Sequence, residues 1–134
     1  MNVRVAVASL AALSGASLLS AGAIGIAMSS GAILLDNAKT AGNATIFEGS
    51  TLQTQDAMSQ IELNGGSRVR LAANSRGRLF RDSVDLEKGS ARIWNFSANA
   101  NGLTVRAEGT ATVSLQGKVV EVAGLEGSTH CKIP

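Results

Sequence analysis

From about Ser30 onward the chain alternates apolar and polar residues over short stretches punctuated by glycine, and before that boundary it is almost uniformly apolar. Period-two alternation bounded by turn residues predicts strands with one dry and one wet face. Ile61, Leu63, Val69 and Leu71 share one parity, with Glu62, Arg68 and Arg70 on the other and Gly65-Gly66-Ser67 between them. Pairing Leu63 with Val69 and Ile61 with Leu71 predicts a first hairpin with those three residues as its loop. Val84 and Leu86 opposite Ile93 and Ala91, around Lys88-Gly89, predict a second. Val113 and Leu115 facing Val122 and Val120 around Gly117-Lys118 predict a third, where a leading glycine suits a type II′ turn. Leu103, Val105 and Ala107 extend that hairpin into a meander through a turn at Glu108-Gly109-Thr110. Shorter strands are predicted at Ala32 to Leu35, Ala44 to Phe47 and Thr51 to Thr54, while Ala72 to Phe80 is less regular with a turn at Asn74-Ser75.

No helical repeat of apolar residues occurs after Ser30. The expected fold is therefore all-β, with short antiparallel hairpins forming a sandwich, a roll or a stacked β-hairpin solenoid. Met1 to Ser29 is expected to be an apolar helix, Ser30 to Gly127 the β domain, and Ser128 to Pro134 a C-terminal tail. Leu125-Glu126-Gly127-Ser128 reads as a turn toward a strand that never arrives, which predicts an open sheet edge.

The apolar segment has Arg4 followed by a run from Val5 to Ile26 without a charged residue, the pattern of a secretory leader. Ala27 and Ser29 fit the small residues at −3 and −1 for cleavage before Ser30. An uncleaved membrane anchor is the rival, since about 20 apolar residues span a bilayer. Gly15, Gly22 and Gly25 weaken that helix. The expected location is thus periplasmic or secreted, with an inner-membrane anchor facing the periplasm as the alternative.

The remainder of the chain, beyond the leader, is long enough for one domain with one core. Aromatics are scarce (Phe47, Phe80, Trp94 and Phe96, with no tyrosine), so the core must rest on Val, Leu, Ile and Ala. Cys131 is the only cysteine and has no internal partner for a disulfide.

Candidate chemistry is thin. His130 and Cys131 are sequence neighbours, which in a strand point to opposite faces and do not converge as a catalytic pair. The acidic residues are dispersed without calcium-loop spacing, and Asp85 with Glu87 reads as a solvated strand face. No enzyme, metal or cofactor is expected from these residues. The densest charge is Arg68, Arg70, Arg76, Arg78 and Arg81, closed by Asp82. Arg68 and Arg70 project from one strand face, and Arg76 and Arg78 are expected to do likewise on the next. Planar guanidinium forks suit carboxylate and phosphate, so this face is a candidate patch for anionic glycans or lipid headgroups. The competing reading is a solvated basic face paired with Glu62, Asp82 or Glu87, each pair worth about 0–1 kcal/mol. Nucleic acid is not expected, because no aromatics interleave for base stacking. Trp94 and Phe96 share a parity opposite to Ile93, so both face outward as a contact surface unless a bulge near Trp94 turns them in.

Phe47-Glu48-Gly49-Ser50-Thr51-Leu52-Gln53-Thr54, continued by Ile61-Glu62-Leu63-Asn64-Gly65-Gly66-Ser67-Arg68-Val69-Arg70-Leu71-Ala72-Ala73-Asn74-Ser75, resembles the FecR domain, a periplasmic β module of iron-dicitrate signalling regulators. Val84 to Ile93 and the Val113 to Val122 hairpin fit the later part of the same pattern. The resemblance spans about Gly31 to Gly127 and brings no catalytic residues. Only Met1 to Arg4 precede the apolar run, so a stand-alone FecR-like protein is expected, without the cytoplasmic anti-sigma segment or a C-terminal secretin/TonB-type domain. The leading expectation is a non-enzymatic, exported module for binding or assembly in the bacterial envelope, meeting a protein partner or envelope component by a strand edge or the basic face. The alternatives are a membrane-anchored component of cell-surface signalling, touching the membrane only through its N-terminal helix, and a small glycan-binding accessory protein. For the basic face, the residues expected to bind are Arg68, Arg70, Arg76, Arg78 and Trp94.

Overall fold

The computed structural model describes residues 22–133. Most of the expected apolar helix, Met1 to Ala21, lies outside the described residues, as does Pro134. Among the described residues eleven strands succeed one another: β1 (Ala23–Ser29), β2 (Ile33–Leu35), β3 (Ala38–Thr40), β4 (Asn43–Phe47), β5 (Ser50–Thr54), β6 (Ser59–Leu63), β7 (Arg68–Leu71), β8 (Arg76–Leu79), β9 (Ser83–Ala100), β10 (Leu103–Gln116) and β11 (Val119–Lys132). The all-β class is therefore the observed one. All pairings are antiparallel within one sheet that curls into a nearly closed barrel.

Strand β9 organises the sheet. β7 pairs with Ala91 to Trp94 and β8 with Val84 to Lys88, so the two short strands lie end to end along the long one. From β8 the sheet runs outward through β5 and β2 to β3, and from β7 through β6 and β1 to β4. β10 pairs with Gly89 to Ala100 of β9, and β11 pairs with β10. Ile33, Ile46, Leu52, Ile61, Val69 and Ile93, drawn from both arms, are fully buried in one cluster. Burial of each such side chain contributes about 1.5–3 kcal/mol, which is how a chain with few aromatics holds together.

At the corner where β9 passes from β8 to β7, polar groups replace aliphatics. Gly89 adopts φ +86°, and the β8–β9 register skips one residue just before it, between Leu86 and Lys88. Ser75, fully buried, accepts from the Ser90 amide at 3.0 Å through Oγ and donates its own amide to Thr54 Oγ1 at 2.9 Å. The Thr54 hydroxyl in turn donates to the Ala72 carbonyl at 2.5 Å. Every group in this knot has a partner, as burial requires.

Several expectations change. The third hairpin stands residue for residue, Val113 opposite Val122 and Leu115 opposite Val120, with Gly117 at φ +63°. The first has the expected faces but a register two residues off, Ile61 opposite Val69 and Ser59 opposite Leu71. The second hairpin does not exist, because Gly89 is a bend inside the continuous β9. The turns expected at Glu108-Gly109-Thr110 and Leu125 to Ser128 are likewise interior to β10 and β11. Ser128 to Lys132 is no loose tail, for it pairs with Glu108 to Thr104. The missing last strand is thus present as part of β11, which is an edge of the sheet alongside β3 and β4.

Ala23–Ser29, assigned from sequence to the end of the apolar helix, is a strand held between β4 and β6. Ile24 and Ala27 enter the core. Gly25 lets β6 approach, since a Cβ there would collide with the Glu62 carbonyl. The glycine that looked like a weakness in a helix is a fitting requirement in a strand.

Candidate binding face

Alternation along β7 turns Val69 and Leu71 inward and leaves Arg68 and Arg70 outward. In β9 the same parity turns Ile93 and Ala91 inward and leaves Arg92 and Trp94 outward. Register then sets Arg68 opposite Trp94 and Arg70 opposite Arg92. The Arg68 guanidinium carbon lies 4.8 Å from the centre of the indole ring and that of Arg70 lies 5.5 Å away. Both are within cation–π range, an interaction worth about 0.5–1 kcal/mol at exposed sites.

The Trp94–Phe96 pair is split rather than jointly exposed or jointly buried. Asn95 takes a left-handed φ of 50°, and the β9–β10 register jumps beside it. Its carbonyl accepts from Ser67 Oγ at 2.6 Å, and its side-chain oxygen accepts from the Gly109 amide at 3.0 Å. The bulge reverses parity, so Trp94 stays at the surface and Phe96 drops into the core at 2% exposure.

Arg70 and Arg92 are like charges directly opposite each other, an arrangement that disfavours the sheet. Arg70 donates to Gln60 Oε1 at 3.2 Å, while its buried Nε has no hydrogen-bond partner. Both arginines line a groove of about 330 Å³, together with Met58, Ala72, Ala73 and the hydroxyl-bearing Ser90 and Thr112. Among the described residues the ion pair formed is elsewhere, Arg76 with Glu87 at 2.9 Å. Both of its side chains are about two-fifths exposed, which places it among the weak surface pairs.

The expected site residues therefore divide. Arg68, Arg70 and Trp94 come together on one face. Arg76 and Arg78 do not join them, because β8 pairs with the other half of β9 and sets Arg78 opposite Asp85 and Arg76 near Glu87. Arg92 belongs to the face and was passed over. Its signal was the shared parity with Trp94 in Arg92-Ile93-Trp94, two residues apart on one strand.

Neither a scan against protein-family models nor searches of curated proteins and of solved structures gives a match to this chain. The FecR resemblance accordingly rests on the sequence motifs themselves.

A second concavity of about 500 Å³ lies where Asn64, Arg81, Asp82, Asn95 and Arg106 meet beside Ile24. Its charges are mixed, and the hydroxyl in its lining, that of Ser67, donates to the Asn95 carbonyl. Among the described residues no three of His, Cys, Asp or Glu stand close enough to hold a metal ion. His130 and Cys131 sit on β11 opposite Arg106 and Val105, and Cys131 is exposed.

Proposed function

We propose that this chain is an exported, non-enzymatic, FecR-like β module that binds or assembles with a protein partner in the bacterial periplasm or envelope by accepting a partner strand along β11. The observation that carries this reading is the state of that strand. Over its 14 residues β11 is exposed or half-buried throughout, and among the described residues it pairs with β10 alone. An unpaired row of backbone donors and acceptors is a template for strand addition. Val119-Val120-Glu121-Val122 is its most strand-prone stretch, ahead of the register skip between Thr110 and Ala111 of β10.

The test is site-specific photo-crosslinking in cells. A crosslinker at Val120 or Thr129 is expected to give a discrete adduct in the envelope fraction. A chain carrying an added strand after Pro134 that pairs with β11 should lose it. An adduct that persists in the capped chain, or that forms equally from Thr45 on the β4 edge, overturns recognition along β11.

A second reading, a small anionic-glycan binder, is favoured by the opposed Arg70 and Arg92 beside a groove. Trp94 is the only tryptophan of the chain, so its emission reports directly on this face. Titration with uronate or sulfated oligosaccharides should change that emission in the parent chain and not in Arg70→Gln or Arg92→Gln. No response in the parent chain removes this reading.

A further inference from the structure

We infer that the leader is removed at Ala21-Gly22-Ala23, leaving Ile24 as the first residue, and not before Ser30. The inference rests on the export reading above and deepens it by fixing the processing site.

A cut before Ser30 would take away a strand that the sheet needs. β1 is an interior strand, paired through Gly25 to Ser29 with β6 on one side and through Ala23 to Met28 with β4 on the other. Ile24 is 2% exposed and Ala27 not at all. The Ile24 carbonyl accepts from the Asn64 amide at 2.8 Å, and Ser29 Oγ donates to the buried Ser59 at 2.7 Å. Removing the strand would strip β4 of the partner that ties it to the sheet and leave β6 as a new edge. It would also uncover Ile46 and Ile61, both fully buried. A mature protein lacking β1 is incompatible with this core.

The sequence supplies a site just upstream. Val5 to Leu19 is an uncharged, largely apolar stretch that fits the roughly 7–15 residues of a signal h-region, whereas a run to Ile26 is too long. Ser20-Ala21-Gly22-Ala23 then provides small residues, with Ala21 and Ala23 in the −3 and −1 places. Cleavage after Ala23 costs the sheet one exposed terminal residue, its pairing with Phe47 and the Asn64 side-chain contact to its carbonyl. From Gly25 onward the pairing with β4 and β6 is untouched.

The full chain is expressed in a bacterial export host, and the protein recovered from the envelope or medium is weighed intact. The expected mass corresponds to a start at Ile24. Ala23→Gln should accumulate unprocessed chain, and Ser29→Gln should be processed as the parent is. A start at Ser30, or processing blocked by Ser29→Gln and untouched by Ala23→Gln, overturns the inference while leaving export intact. A full-length chain in the envelope overturns it in favour of an anchor, and a full-length chain in the cytosol overturns the export reading with it.

Discussion

The short strands β2–β8 and the long strands β9–β11 both lean on glycine, for opposite ends. In the first region Gly65 and Gly66 close the β6–β7 loop, and a Cβ at either would meet open space. In the second, Gly89, Gly109 and Gly127 lie inside continuous strands with positive φ, and a Cβ at each would run into a neighbouring segment: Ser75, Glu126 and Glu108 respectively. Gly109 and Gly127 face each other across the β10–β11 ladder, so each makes room for the other's chain. The same residue type ends a strand where nothing opposes it and bends a strand where another backbone crowds it.

That contrast can be broken at its strongest point. Gly89→Ala forces both a left-handed alanine and a clash with Ser75, and is expected to cost about 3 kcal/mol or more in urea unfolding. A loss under about 1 kcal/mol would show that the corner does not depend on close approach. Next comes the knot beside it. Ser75→Ala leaves the Ser90 amide unpartnered in the interior and should cost about 1–3 kcal/mol by the same measurement. Asn95→Ala removes the bond to the Gly109 amide and strains the bulge, for about 1–2 kcal/mol. It should also shift Trp94 emission as the indole loses its fixed place beside Arg68 and Arg70, and an unchanged spectrum would detach the bulge from the binding face. At the small end, Gly65→Ala has space and no left-handed φ, so stability should stay within about 0.5 kcal/mol. A larger loss would blur the distinction between the two kinds of glycine.

The face each strand buries was legible from alternation, because Ile61, Val69, Ile93 and Val113 keep the parity that the sequence shows. The Gly117-Lys118 turn was legible too, since a two-residue loop leaves only one register. Gly89 misled, because it reads as a turn. Inward positions shift from even at Val84 and Leu86 to odd at Ala91 and Ile93, and a bend produces that shift as well as a hairpin does. Only the packing of Ser75 against Gly89 separates the two, and Ser75 is distant in sequence. β1 was hidden for a related reason. A short apolar strand continuous with an apolar run of sequence has no boundary that periodicity can mark. Of the candidate site, Arg68 with Arg70 was visible as a same-face pair, whereas their meeting with Trp94 and Arg92 depends on the β7–β9 register, which no local pattern encodes.

The arrangement of β7 and β8 in tandem along β9 has a bearing on when the molecule closes. The two arms of the sheet are joined through that one strand, so neither can be sealed against the other until residues up to about Trp94 are available. Pairings of this kind span long loops and form late. A chain made available residue by residue from its N-terminus would therefore remain pliable until most of β9 had followed, and would gain its dry interior only then.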